Sequence, residues 1–197
     1  MKFSKILLSM GLLASSLLAS EFVNYDKLSK NLKEEAKKSG NYATTDEVKT
    51  ALTQNDWAVV DVRTMEEWAA GYIKGTQRIG REAPEKALES IVTDDNGKFI
   101  KDKIIVVCNS AARASIEAEA FRKMGFSTVK IYDMHQWMDE CNPLITKYSA
   151  ALHKEGSNKK FGDDHLIVFN KAIASSIYVS SSLIILCKRT FASSILF

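Results

Sequence analysis

Charge of one sign is in short supply. The 197-residue chain carries 27 basic and 24 acidic residues. Without Lys2 and Lys5, which sit in a leader-like segment, 25 face 24 and the net charge is +1. No global basic field remains, so composition does not call for nucleic acid as a partner. Cysteine is scarce too. Cys108, Cys141 and Cys187 cannot all pair with one another, and they lack the short repeated spacing of a zinc site. The three histidines, His135, His153 and His165, have no ligand spacing either. No metal and no organic cofactor is expected. Internal repeats are missing, and the length suits one domain with its attachments.

What is present begins with a leader. Lys2 and Lys5 precede the apolar run Ile6–Leu18, followed by Ala19 and Ser20. This is the layout of a secretory signal peptide over residues 1–20. Leu17 or Leu18 occupies a place where a small residue is preferred, so an uncleaved N-terminal anchor is the alternative. Export would put the protein in an oxidising compartment, where an unpaired thiol is either buried or kept for its reactivity.

Residues 21–42 read as a charged helix stopped near Gly40, with its lysines and glutamates as a solvated face. Thr44 or Thr45 caps a second helix. Trp57–Arg63 is a β-branched run fit for a strand buried on both faces. A helix opens at Thr64 and ends at Gly71, and "TQRIGRE" is a weak strand. Pro84 starts the next helix. Lys103–Cys108 is the strongest strand, and it leads into a helix with Ile116, Ala120, Phe121 and Met124 on one stripe. "STVKIY" follows as a strand and "MHQWMDE" as a short helix, and Pro143 opens a last helix through about Leu152. The three tryptophans, Trp57, Trp68 and Trp137, read as core or rim packing. This alternation predicts an α/β domain over residues 43–152, with a mainly parallel central sheet flanked by helices on both faces.

Active sites in such sheets gather beyond the carboxyl ends of the strands, and Cys108 lies at one of them. A tight strand-to-helix turn can aim backbone N–H groups inward, and the following helix adds the positive end of its dipole. An anion there is stabilised, so a thiolate needs no histidine base. The turn reads "CNSAARAS", with Arg113 five positions after Cys108.

That turn, with "VVDVR" and "EEWAAGYIKGTQRIGRE" before it and Trp137 and Pro143 after it, resembles the rhodanese (sulfurtransferase) family. The likeness spans roughly Ala43 to Thr146. An exported single domain with a leading charged helix is most similar to the family's periplasmic polysulfide-sulfur transferase branch. Cysteine phosphatases of similar architecture have one more residue between nucleophile and arginine, a position held here by Ala114. The shorter loop suits a sulfur-sized guest.

The resemblance implies that Cys108 takes sulfur from thiosulfate or polysulfide as a persulfide and passes it to a thiol or to cyanide. Arg113, Arg63 and Arg81 are the implied substrate-binding cations. Asn109, Ser110, Ala111 and Ala112 contribute through their backbone N–H groups, and Asp61 is a structural acceptor. Each has a plainer alternative. Arg63 pairs with Asp61 or Glu67 to fix the turn, Arg113 ties the loop to the body, Arg81 is an ordinary surface charge, and Cys108 is buried and inert. A sulfur carrier serving a membrane reductase and a silent binding module are the rival functions. A homodimer stays open.

The sequence departs from the family pattern in places. Tyr72 replaces a common histidine, Ala111 stands where many members have glycine, and the Gly-Gly before the tryptophan is missing in "YDMHQW". Cys141 occupies a usual glycine position. It is open as a resolving thiol for Cys108, a passive thiol or a partner for Cys187. In the tail, residues 153–197, the stretch 172–187 carries no charge and is followed by Lys188 and Arg189. Five of its sixteen residues are serine, which makes it marginal as a membrane anchor. A poorly ordered extension is the other reading.

Overall fold

The structure, a computed structural model, describes residues 22–148 and 165–167. The leader and most of the tail, with the anchor readings placed on them, lie outside the described residues.

Four parallel strands form the central sheet in the order β2-β1-β3-β4: β1 Trp57–Asp61, β2 Gln77–Arg78, β3 Lys103–Cys108 and β4 Thr128–Asp133. Around them run α1 Tyr25–Lys38, α2 Thr45–Ala51, α3 Met65–Ala70, α4 Pro84–Val92, α5 Ala112–Lys123 and α6 Met134–Asp139. Thr44 and Thr64 each complete a capping box, with Glu47 and Glu67 respectively. In both, the threonine hydroxyl takes the third amide and the glutamate returns to the cap's own N–H.

Strand alternation divides the core into two layers. Val60, Ile104, Val106 and Cys108 face one side, packed with Ala36 of α1, Leu88 and Val92 of α4, and Ala114, Ala118 and Phe121 of α5. Val59, Ile105 and Val107 face the other, against Val48 and Ala51 of α2 and Trp137 of α6. The expected α/β sheet with helices on both faces is therefore what the chain forms. The buried stripe of α5 is Ala114, Ser115, Ala118 and Phe121, rotated from the expected Ile116, Ala120, Phe121 and Met124. Small residues take the sheet side, where the backbone comes close, and α1 covers part of what was expected to be solvent.

One element is corrected. No helix opens after Pro143. Instead Leu144–Thr146 is a strand, β5, antiparallel to β6, His165–Ile167. Ile145 also bridges Tyr72, so pairing partners on both sides outweigh the helix-starting tendency of the proline. β6 also gives part of the tail regular structure.

The order of the sheet locates the site. β1 leads through α3 to β2 on one side, whereas β3 leads through α5 to β4 on the other. Connections diverge between β1 and β3, and the crevice beyond their carboxyl ends is where α/β sheets bind ligands. Asp61 and Cys108 close those two strands.

Candidate active site

Cys108 is buried, 1 % exposed, and is the free cysteine among the described residues. Its Sγ accepts a hydrogen bond from the Ala114 N–H at 3.5 Å. Ala114 is the third residue of α5, and no side chain of the preceding residue caps that helix. The sulfur thus stands where a capping oxygen would, against the positive end of a twelve-residue helix. The amide that reaches the sulfur lies two residues beyond the four, Asn109, Ser110, Ala111 and Ala112, expected to act through theirs.

The turn closes through Ala111, which has φ 57° and ψ 4° and is fully buried. A left-handed alanine costs about 1 kcal/mol.

Around the turn runs a network of charged hydrogen bonds. Glu67 Oε2 and Oε1 accept from Arg113 Nη1 and Nη2 at 2.6 and 2.8 Å. Oε1 also accepts from Asn109 Nδ2 at 2.7 Å, and Oε2 from the Thr64 N–H at 3.0 Å. Glu67 therefore holds both ends of the loop. Arg63 is 3 % exposed and its five N–H groups are all used. Nε and Nη2 bond the Asp61 carboxylate, Nη2 the Gly71 carbonyl at 2.7 Å, and Nη1 the Glu67 carbonyl and Asn109 Oδ1 at 3.3 and 3.1 Å.

Arg63 is accordingly corrected from a substrate-binding cation to a structural one, because no donor is left for a visiting anion. Asp61, 1 % exposed, accepts the bonds of Arg63. Arg113 is the second residue of α5, and its guanidinium is tied to Glu67. Arg81 is exposed, with its backbone N–H on Glu82. Tyr72 stacks on Trp68 with ring centroids 4.3 Å apart. Cys141 is disulfide-bonded, which removes it as a free resolving thiol. Cys187 lies outside the described residues.

Three contributors were missed. Glu67 had a signal, since "TMEE" is a capping box, but its second task on Arg113 leaves no mark in local spacing. Tyr42 comes from a residue that bridges Ile131 of β4. Burial first, then the neighbouring Asp133 and Cys108, push its phenol up to about 12. Tyr25 of α1 is raised by burial and by Cys108, while Arg113 and Arg81 pull the other way. The leading helix therefore borders the cysteine loop.

Glu67 gives a pH test. Hydrogen bonds from Arg113 hold its carboxyl at about 2, against an ordinary 4.5, with burial opposing and the Thr64 amide assisting. A depressed carboxyl adds stability that is complete above its unfolded value and is lost as pH falls towards the folded one. Between about pH 4.5 and about pH 2 the wild type should lose this contribution, and Glu67→Gln should lack it. Thermal unfolding at about pH 6 and about pH 3 measures the difference. Equal acid sensitivity in both proteins would show that the pair contributes nothing.

Comparison with known proteins agrees with the geometry. Residues 44–139 match the model of the rhodanese-like domain. No curated protein matches. Among solved structures, the chain is similar to a polysulfide-sulfur transferase homodimer from Wolinella succinogenes: 22% identity, TM-score 0.46, covering 67% of this chain and 97% of that one. It is also similar to a rhodanese-related protein from Thermoplasma volcanium, with 19% identity, TM-score 0.37 and coverage of 62% and 94%. A possible tyrosine phosphatase from Rhodopseudomonas palustris has 16% identity, TM-score 0.39 and coverage of 61% and 93%.

Proposed function

Residues 44–139 are a rhodanese-like domain, and on that premise we propose that the protein is a sulfurtransferase working through a persulfide on Cys108. The observation that carries this reading is the placement of Sγ at the N-terminus of α5, with the Ala114 amide on it. That placement sets the sulfur against the positive end of the helix dipole, and a thiolate is the nucleophile that sulfur transfer needs.

In the first half-reaction the Cys108 thiolate attacks the outer sulfur of thiosulfate. The S–S bond of the donor breaks, its electron pair leaves on sulfite, and the cysteine keeps the outer sulfur as a persulfide. Polysulfide donates in the same way and leaves one sulfur shorter. In the second half, a thiolate or cyanide attacks that outer sulfur, and the electron pair of the broken bond returns to Cys108. No oxidant, metal or cofactor enters the balance. Work in the periplasm, after removal of the leader, belongs to the same proposal. Incubation with thiosulfate should add about 32 Da, one sulfur atom, to the intact protein. An unmodified wild type would sink the reading.

Burial of Cys108 favours one second reading, a silent rhodanese-like module that binds without turnover. A donor reaches a side chain that is 1 % exposed only when part of its cover opens locally. Iodoacetamide at neutral pH separates the two: a sulfurtransferase is alkylated at Cys108, whereas a silent module is not. A carrier would load once and stall in steady-state transfer to cyanide.

A further inference from the structure

Both arginines nearest the loop are already matched. Arg63 faces Asp61 and Arg113 faces Glu67, so each pair presents little net charge to a visitor. Of the predicted cations, only the exposed Arg81, which forms no salt bridge among the described residues, is left to meet an anionic donor.

Helix α1 brings a second. Five lysines lie on this helix: Lys27, Lys30, Lys37 and Lys38 are exposed, while Lys33 is half-buried on the inner face with Ser29, Leu32 and Ala36. The spacing 29, 32, 33, 36 is one helical stripe, and it rests on the start of α5, where the Ser115 hydroxyl donates to the Ser29 carbonyl at 3.4 Å. Lys33 Nζ donates to the carbonyl of Ser110 at 3.4 Å, two residues past Cys108. It forms no ion pair among the described residues. Tyr25, two turns earlier on the same face, feels Cys108, Arg113 and Arg81 together, which places this face at the loop. A lysine free to choose water costs least when fully solvated. Its ammonium instead lies at the neutral Ser110 carbonyl of the cysteine loop, on the exposed side of that loop, an arrangement with an electrostatic use.

We propose that Lys33 is the anion-recognising residue of the Cys108 site, a cation brought by the leading helix to attract a negatively charged sulfur donor and hold its charge at the loop. The inference rests on Cys108 being the reactive sulfur. It singles out Lys33 from an otherwise solvated charged face, and it favours thiosulfate and polysulfide, which are anions, over neutral donors.

The test compares alkylation of Cys108 by iodoacetate, an anion, and by iodoacetamide, its neutral analogue, with Cys108→Ser as the blank. Lys33→Gln should lower the iodoacetate-to-iodoacetamide rate ratio by about three- to tenfold at low ionic strength. Lys33→Arg should keep it within about twofold, and salt should shrink the difference. The KM for thiosulfate should rise in Lys33→Gln with little change in kcat. An unchanged ratio overturns the proposal. So does equal slowing of both reagents, which would make Lys33 a mechanical tether of the loop, and so does a wild type that reacts with neither. Where the ratio falls as expected but thiosulfate adds no sulfur to the wild type, the sulfur-transfer reading fails and the role of Lys33 stands.

Discussion

Cys108→Ser should take up no sulfur and lose about 10³-fold or more of any thiosulfate-to-cyanide transfer. A serine hydroxyl is not ionised near neutrality, and it cannot form the S–S bond that stores the transferred atom. No described residue can take over. Cys141 is disulfide-bonded, and the elements around the loop contribute positive charge and amides but no second nucleophilic sulfur. The exchange is nearly isosteric, but it puts a hydroxyl into an apolar cluster, at a cost of about 1–3 kcal/mol. A thermal melt is therefore run alongside, with Cys108→Ala as a second variant that buries no hydroxyl. Both should fold, and neither should gain 32 Da. Transfer surviving in a folded Cys108→Ala protein would remove the persulfide from the mechanism.

Arg63→Ala should be the most destabilising substitution in the loop region. It leaves the Asp61 carboxylate, 1 % exposed, without its cation and strips hydrogen bonds from Gly71, Glu67 and Asn109. Breaking a buried pair from one side costs about 3–5 kcal/mol, a large share of the 5–15 kcal/mol typical of a whole domain. Urea unfolding reads this as a lower midpoint. Replacing both partners, Asp61→Leu with Arg63→Met, should cost less than the single change, because no lone charge remains buried. A loss below about 1 kcal/mol for Arg63→Ala would mean that solvent replaces these contacts and that Arg63 is not structural.

The cysteine loop and the parallel sheet were legible because their signals are local. A buried strand that runs into a thiol and then a helix is visible in ten residues, as are the threonine caps at 44 and 64. The fates of the arginines were not legible. Whether Arg63 binds a substrate or a neighbour depends on Asn109 and Gly71, which approach it only after β1 and β3 pair. Leu144–Thr146 was misread for the same reason. Three residues after a proline fit a helix or a strand equally well, and the deciding partners are Tyr72 and His165–Ile167, far away in sequence. Lys33 looked like its neighbours in a charged helix until packing put one lysine of five against the loop.

Ala111 has a consequence for how this sequence can change over time. Its turn calls for a left-handed residue, and its side chain is fully buried. Glycine would relieve about 1 kcal/mol of backbone strain and forfeit about 0.8 kcal/mol for one buried methyl group. The two nearly cancel, so drift between alanine and glycine should be silent in a melting experiment. Anything bulkier loses on both counts. The width of the sulfur loop is thus guarded by a single position that tolerates two amino acids.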